Sequence, residues 1–264
     1  LNSAKQYVHA LEAHKFGVQV QGVSYDWTAI LKWKAEVVEK LRGGIAGMMK
    51  KYSVDVVDGT GEIVAPRRGD AAALVRATPS GGGAPTEHQC KAMLVCTGST
   101  PAMPPIPGSK DNQAVVDSTG LLSIPSVPKR LAVIGGGVIG VEFASLFSSL
   151  GSEVSVIEMM DEIVPFMDKE QAPLLRRAMK AVDFKLGCKV ERLEGATVHY
   201  TTKAGAAEKI EADLVLMAVG RRPVLTLWGA EAAGLDVSPK GVAVDDRMRT
   251  NISGIWAAGD VTGK

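Results

Sequence analysis

A glycine-rich turn between two short apolar segments constrains the fold of this chain more than any other feature. Residues 129–158 read KRLAVIGGGVIGVEFASLFSSLGSEVSVIE. The apolar run at 131–134 is typical of a strand buried on both faces, and apolar residues over 138–150 recur at helical intervals. Gly151 follows where a helix often ends in the left-handed conformation, and 154–157 predicts a second strand. This order predicts an α/β fold with a parallel sheet.

The glycines of the turn have the spacing G-x-G-x-x-G, which is typical of Rossmann-like dinucleotide-binding domains. In such a turn the first glycine permits the tight bend, the second leaves room for a pyrophosphate, and the third allows close packing of helix and strand. The unpaired N–H groups at the start of the helix also favour a phosphate. The candidate cofactor-binding residues here are Gly135, Gly136, Gly137, Val138, Ile139 and Gly140.

An acidic residue ends the second predicted strand. Glu158 lies eighteen residues after Gly140, near the spacing at which a carboxylate accepts hydrogen bonds from the adenosine ribose of a dinucleotide. This carboxylate repels a 2′-phosphate, and Met159 and Met160 supply no cation to bind one. The sequence therefore predicts NAD rather than NADP. A glycine-rich turn in some other α/β domain is the structural alternative, and the position of Glu158 disfavours it.

Charge and composition disfavour other classes of function. The 264 residues include 30 basic and 29 acidic side chains, for a net charge of +1 without runs of one sign, so we expect neither nucleic acid nor a membrane as partner. The opening residues 1–15 read as an amphipathic helix rather than a signal peptide, and the chain is expected to begin in mid-fold. The four histidines are scattered, so no metal site is predicted.

The three cysteines have neither redox nor zinc spacing. We interpret Cys90, Cys96 and Cys188 as small core residues of a protein in a reducing cytoplasm. Cys90 and Cys96 are expected on one strand, where they lie too far apart for a disulfide.

The remaining pattern predicts helices near the start of the chain and short strands after them. The long helix at 27–51, with Ser24 or Asp26 as its cap, has one apolar face, and its Gly43, Gly44 and Gly47 indicate a kink or close helix packing. The other predicted elements are helices at 2–14 and 168–182, strands at 54–57, 62–65, 72–77, 89–96, 184–188 and 213–219, a hairpin loop at 79–85 and a hairpin over 190–210.

Three apolar strands run directly into a glycine. They lie at 91–98, 213–220 and 255–259. Three such endings exceed what one sheet of this size accommodates. They predict a second nucleotide-binding sheet, built from segments near both ends of the chain.

Further motifs at characteristic separations point to one enzyme family. They are VCTGSTP at 95–101, PIPG at 105–108, DSTGLL at 117–122, GRRP at 220–223 and AAGD at 257–260, together with the glycine turn. With them the chain resembles the pyridine nucleotide–disulfide oxidoreductases, and within that family the dihydrolipoyl dehydrogenases. The resemblance implies a Rossmann-like NAD-binding domain, a parallel sheet plus β-hairpin at 128–244, inserted in a partial FAD-binding domain at 1–127 and 245–264.

The resemblance also implies an activity. Electrons pass from dihydrolipoamide through an enzyme disulfide and FAD to NAD, in a homodimer that serves a 2-oxo acid dehydrogenase or glycine cleavage complex. By this likeness the glycine turn binds the NAD pyrophosphate and Glu158 the ribose. The other implied site residues are Val190 near the adenine, Gly220 and Arg221 beside the nicotinamide half, Glu142 where nicotinamide meets flavin, and Thr97, Gly98 and Asp260 facing FAD.

Some of these residues also have an interpretation that involves no cofactor. Glu142 is also consistent with a solvated acid near a helix start, Asp260 with a turn aspartate, and Arg221 with solvated charge. The family's first glycine fingerprint, its closely spaced cysteine pair and its His-Glu pair are missing from this sequence, so no catalytic residue is assigned. We expect this polypeptide to bind NAD weakly, to retain FAD poorly and to lack dehydrogenase activity.

Two alternative functions remain. One is another reductase of the same family, similar to mercuric or glutathione reductase, which usually take NADPH. The other is a non-catalytic NAD-binding module. A preference for NADP favours the first of these.

Overall fold

The computed structural model describes residues 1–66 and 73–263, in which helices and strands are mixed along the chain. The α-helices are α1 (Asn2–Glu12), α2 (Trp27–Lys51), α3 (Ser118–Leu121), α4 (Val138–Ser149) and α5 (Gln171–Ala178). The strands are β1 (Gly59–Ala65), β2 (Ala73–Pro79), β3 (Thr86–Cys90), β4 (Met93–Val95), β5 (Ser99–Pro101), β6 (Val115–Val116), β7 (Arg130–Ile134), β8 (Glu153–Glu158), β9 (Val182–Leu186), β10 (Lys189–Glu194), β11 (Thr197–Thr201), β12 (Ala207–Glu211), β13 (Leu214–Met217), β14 (Arg221–Pro223), β15 (Val237–Ser238), β16 (Gly241–Val242) and β17 (Ile255–Ala257).

The chain divides into two compact units. The first comprises Leu1–Glu39 and Pro101–Gly220, and the second Lys40–Thr100 and Arg221–Lys264. The domain limits predicted from the sequence, 1–127, 128–244 and 245–264, stay a prediction. Residue 264 and the first residue of the strand predicted at 72–77 lie outside the described residues.

A five-stranded parallel sheet forms the centre of the first unit. Its strand order is β6-β13-β7-β8-β9, and every neighbouring pair is parallel. The central strand β7 is buried from Leu131 to Ile134, as its uninterrupted apolar sequence predicts. Leu131 and Val133 share a core cluster with Phe147 of α4. The predicted α/β fold with a parallel sheet is confirmed.

The opposite face of this sheet is covered by a second, antiparallel sheet of strands β10, β11 and β12. Ala132 and Ile134 of β7 share a core cluster with Val198 and Tyr200 of β11. The sequence predicts a hairpin over 190–210, and the structure adds a strand to it, because a turn at Gly195 (φ +57°) returns β10 onto β11. Burial raises the pKa of the Tyr200 hydroxyl, which donates to Glu208 at 2.6 Å.

The second unit contains the C-terminal part of α2 and several short strands. Strands β1, β2 and β3 form an antiparallel sheet, and the hairpin loop predicted at 79–85 joins β2 to β3. Strand β4 pairs in parallel with β17, so segments far apart in the chain do share one sheet. The hydrophobic core of this unit includes Ile63, Val95, Trp228 and Ile255.

Three predictions for this region are wrong. Residues 54–57 form no strand, and their valines are exposed. The single strand predicted at 89–96 is broken into β3 and β4, because β3 pairs with β2 whereas β4 pairs with β17. Cys90 and Cys96 therefore do not share a strand. Cys96 is exposed and Cys90 half-buried, and Cys188 is the cysteine that is buried as predicted.

Two predicted helices can be compared directly with the structure. Helix α2 has the predicted limits, and the Ala29 N–H donates to Asp26 Oδ1 at 3.1 Å, which makes Asp26 its cap. Helix α5 ends at Ala178, before the predicted limit of 182, because β9 already begins at Val182. No helix within 1–66 or 73–263 is long and apolar enough to cross a membrane.

The apolar face of α2 is exposed over its C-terminal part, although the start of the helix packs on the core of the first unit. Val38, Leu41, Ile45 and Met48 are all exposed, and none of the residues of the helix is buried. A Cβ atom built on Gly43, Gly44 or Gly47 meets nothing within 4 Å. At these three glycines the close helix packing suggested by the sequence is therefore not found among the described residues.

We expect Gly44→Ala to stabilise the protein by about 0.5–1 kcal/mol, because glycine inside a helix loses more backbone entropy on folding than alanine. The free energy of unfolding in urea measures this gain. Gly17→Ala is the matched control, since its Cβ also meets open space but its φ is +77°. It is expected to lose stability. Equal effects of the two substitutions contradict the helical conformation of residue 44.

Candidate dinucleotide-binding site

At the start of the glycine turn the chain is still hydrogen-bonded to the segments on both sides of β7, which are β8 and the end of β13. The Gly135 N–H donates to the Ile157 carbonyl of β8 at 2.9 Å, and the Ala218 N–H donates to the Ile134 carbonyl at 2.8 Å. Gly135 has φ +108°, and a Cβ there would lie 2.5 Å from the Ala218 carbonyl oxygen. Only glycine fits this position, because both the backbone angle and the neighbouring chain exclude a side chain.

The other two glycines of the fingerprint differ in their surroundings. A Cβ on Gly140 would lie 2.0 Å from the Gly135 carbonyl oxygen and 3.2 Å from Val133 Cγ1, so its absence lets α4 approach β7 closely. A Cβ on Gly137 would meet nothing within 4 Å. Gly137 caps the start of α4 in an extended conformation, with φ −71°. The open space beside it therefore adjoins the N-terminal end of the helix, where an anion is stabilised.

Glu158 lies at the mouth of the turn. Its Oε2 accepts from the Gly136 N–H at 2.6 Å, and its Oε1 accepts from the Met160 N–H at 2.7 Å. The two backbone donors fix the orientation of the carboxylate, and each oxygen keeps a lone pair for a further donor. The Glu158 carboxylate can therefore accept hydrogen bonds from the ribose hydroxyl groups of a nucleotide whose phosphates lie beside Gly137.

Lys203, which is distant in sequence, lies beside the residues that follow Glu158 at the end of β8. Lys203 Nζ, on the turn between β11 and β12, is 2.5 Å from Asp161 Oδ1, and both side chains are largely exposed. The Gly187 N–H donates to the Met160 carbonyl at 2.9 Å, and the Lys203 side chain lies beside Gly187. The residues next to Glu158 in the sequence include no cation, and nothing in the sequence points to Lys203, whose charge Asp161 balances. No local signal marks this pair, since the two residues are 42 positions apart.

Three further predicted residues lie in the same unit. Gly220 follows β13 with φ +119°, and its carbonyl accepts from the Ala102 N–H at 2.9 Å. Val190 is half-buried and pairs with Tyr200 across the antiparallel sheet. Glu142 is exposed on α4. Their predicted roles toward a nucleotide stay predictions.

In the second unit, Asp260 belongs to a polar cluster with Arg221 and Ser99. Arg221 Nε donates to Ser99 Oγ at 2.7 Å, and Arg221 Nη2 donates to the Ser99 carbonyl at 2.8 Å. The Ser99 hydroxyl donates to Asp260 Oδ2 at 2.5 Å, and Arg221 Nε lies 3.8 Å from the same oxygen. The family resemblance places Arg221 beside the nicotinamide half and implies no role for Ser99. The structure brings both to the aspartate.

Thr97 and Gly98 lie at the carboxyl end of β4. The Thr97 hydroxyl donates to the Val224 carbonyl at 3.0 Å, and the Val224 N–H donates to the Gly98 carbonyl at 2.9 Å. Gly98 has φ +71°, which suits a turn leaving a strand. The Ala258 N–H donates to the Val95 carbonyl at 3.0 Å, so the segments leading to Thr97 and to Asp260 run side by side.

We find no group of three or more histidine, cysteine or acidic side chains placed to hold a metal ion in the part of the chain that the structure describes. At the glycine turn, the groups available to a ligand are the backbone at the start of α4, the Glu158 carboxylate and the open space beside Gly137.

Comparisons with known proteins give one consistent family. Residues 2–264 match the family model described as pyridine nucleotide-disulphide oxidoreductase. The chain is 36% identical to dihydrolipoyl dehydrogenase of Acholeplasma laidlawii, over all of this chain and 76% of that protein. It is 34% identical to dihydrolipoyl dehydrogenase of Bacillus subtilis, over 99% of this chain and 55% of that protein.

A solved structure shows the same similarity. The HOCl-induced flavoprotein disulfide reductase RclA of Escherichia coli superposes with a TM-score of 0.79 at 31% identity, over 98% of this chain and 56% of that one. The chain thus spans about half the length of the Bacillus relative and of the solved structure.

Proposed function

The chain belongs to the pyridine nucleotide–disulphide oxidoreductase family, as its motifs predict, and from this premise we propose that it binds NAD for an FAD-dependent dihydrolipoyl dehydrogenase. In the proposed reaction two thiols of a dihydrolipoyl group are oxidised to a disulfide, and NAD is reduced to NADH with release of one proton. When bound, FAD relays the electrons between the thiols and the nicotinamide.

One observation carries the NAD assignment. The Glu158 carboxylate is held 2.6 Å from the Gly136 N–H, at the mouth of a turn whose Gly137 faces open space. A ribose hydroxyl can donate to this carboxylate while a pyrophosphate lies against the backbone at the start of α4. The residues present therefore fit a dinucleotide with a free 2′-hydroxyl.

In this proposal each candidate residue has one task. The backbone from Gly135 to Gly140, including Gly136, Val138 and Ile139, binds the pyrophosphate, and Val190 lies near the adenine. Gly220 and Glu142 lie toward the nicotinamide. Asp260, with Thr97 and Gly98, faces FAD, for which the exposed carboxylate of Asp260 is a suitable acceptor. Arg221 orients Asp260 through Ser99.

The whole protein's setting is also part of the proposal. Its partner is the dihydrolipoyl group of a 2-oxo acid dehydrogenase or glycine cleavage complex, and it acts as a homodimer with domains at 1–127 plus 245–264 and at 128–244. The names of the Acholeplasma and Bacillus relatives support the dihydrolipoyl group as the substrate. The three cysteines are free thiols, which favours a reducing cytoplasm.

Titration of the purified chain with NAD and with NADP tests the cofactor assignment. We expect tighter binding of NAD. Glu158→Ala should weaken NAD binding by about tenfold or more, because a hydrogen bond to a charged group contributes about 1.5–3 kcal/mol. It should weaken NADP binding less, since the repulsion of a 2′-phosphate is removed with the carboxylate. Glu153→Ala, at the other end of β8, is the control and should leave both affinities unchanged.

Tighter binding of NADP than of NAD overturns this assignment. It favours the alternative of another reductase in the family, to which the similarity to RclA also points. NAD binding without any lipoyl-dependent reduction in the full-length protein favours instead a non-catalytic NAD-binding module.

A further inference from the structure

The loop that follows β8 contains a backbone conformation that its sequence disfavours. Val164 has φ +41°, although it is β-branched and precedes Pro165. A β-branched residue with positive φ is a genuine outlier, and a residue before proline prefers an extended conformation. Val164 is also 2% exposed. Such a conformation persists only where the surrounding contacts hold it, and it often accompanies a functional site.

The strained residue contacts the glycine turn. The Val164 N–H donates to the Gly136 carbonyl oxygen at 2.8 Å. Because a trans peptide is planar, its carbonyl and N–H point in opposite directions. Holding the Gly136 carbonyl therefore fixes the direction of the Gly137 N–H in the same peptide unit. Gly137 is the residue beside which the structure leaves open space.

An ion pair and a small core hold the loop in place. Arg176 of α5 donates from Nε to Glu162 Oε1 at 2.8 Å and from Nη2 to Oε2 at 3.0 Å. Glu162 Oε1 also accepts from the Ile163 N–H at 3.0 Å. These donors, chiefly the Arg176 guanidinium, lower the pKa of the Glu162 carboxyl. Ile163 and Val164 are buried in one cluster with residues of α4 and α5, namely Val141 and Ala172.

We propose that Glu162 and Arg176 are positioning residues, which hold the Val164 backbone against Gly136 and so aim the Gly137 N–H at the pyrophosphate of the dinucleotide. This inference rests on the proposed NAD-binding function and extends it to residues outside the fingerprint. Neither side chain touches the dinucleotide in this arrangement. Their effect is transmitted through one backbone hydrogen bond.

Binding of ADP and of adenosine to the purified chain tests the proposal. The two probes share the ribose that Glu158 recognises, but ADP alone carries phosphates. Glu162→Gln keeps the shape of the side chain and removes its charge. It should weaken ADP binding by about fivefold, within the range of one ordinary hydrogen bond, and adenosine binding by less than about twofold. Hydrogen exchange of the Val164 amide should become faster in the same variant.

Two further variants separate positioning from general stability. Arg176→Lys keeps the charge but not the two parallel hydrogen bonds, so its effect on ADP binding should be intermediate. Asp213→Asn is the matched control, because Asp213 Oδ1 accepts from Arg130 Nε and Nη2 in a similar pair at the opposite end of β7. It should lower the free energy of unfolding without changing the ratio of the two affinities.

The outcomes distinguish this inference from the function on which it rests. If the parent chain binds ADP but Glu162→Gln weakens ADP and adenosine equally, the positioning role is overturned and NAD binding stands. Unchanged exchange of the Val164 amide overturns it as well. If the parent chain binds neither ADP nor NAD, the proposed function itself fails.

Discussion

Gly137→Ala is expected to remove most NAD binding while the fold stays intact. The φ of −71° at this position suits any residue, and the added methyl group meets no protein atom within 4 Å. As a helix cap alanine is somewhat worse than glycine, so a stability loss below about 1 kcal/mol is expected. The methyl group does occupy the space through which a phosphate approaches the backbone.

The expected loss of NAD affinity is about 30-fold, which corresponds to about 2 kcal/mol and to one lost hydrogen bond to a charged group. Isothermal titration calorimetry measures the affinity, and urea unfolding measures the stability of the same sample. Gly44→Ala serves as control, since it also adds a methyl group in open space but on α2. A Gly137→Ala variant that binds NAD like the parent shows that the dinucleotide lies elsewhere.

Gly140→Ala is expected to destabilise the first unit itself. The added methyl group would lie 2.0 Å from the Gly135 carbonyl oxygen and 3.1 Å from its carbonyl carbon, and both are backbone atoms. Neither can move without displacing the end of β7, so α4 must shift away from the sheet. Forcing extra atoms into a packed interior typically costs about 1–3 kcal/mol, and we expect about 3 kcal/mol here.

Thermal unfolding should then shift downward by about 6–12 °C, given about 2–4 °C per kcal/mol for a chain of this size. NAD binding should be lost together with stability, in contrast to Gly137→Ala. A Gly140→Ala variant with the thermal midpoint of the parent contradicts the close approach of α4 to β7. Comparison of the two variants separates the glycine that the fold requires from the glycine that the ligand requires.

The sequence predicted the glycine turn and the elements around it closely. Strand β7, helix α4, strand β8 and the position of Glu158 all follow from signals within thirty consecutive residues. Local periodicity also placed α2 correctly, and of the two predicted caps, Ser24 and Asp26, the structure selects Asp26. These features depend on backbone sterics, on hydrophobic period and on spacing along one segment, which a single sequence displays.

Other features depended on contacts that no local pattern records. The division of the predicted strand 89–96 depends on the pairing of β3 with β2 and of β4 with β17. Strand β10 is defined by its pairing with β11. Ser99 and Asp260 are 161 positions apart. Their hydrogen bond forms because β4 and β17, the strands that precede these two residues, pair in parallel.

By itself, the sequence determined that this protein has a glycine-rich turn after the first of two parallel strands and a carboxylate at the end of the second. The tertiary structure alone decided how that turn is supported. It placed Val164 in a conformation that its own residue type opposes, with Glu162 and Arg176 holding the loop. A residue's own backbone preference sets its conformation only where tertiary contacts do not favour another one. At Val164 the contacts of the buried core and of the ion pair outweigh the preference of valine for a negative φ.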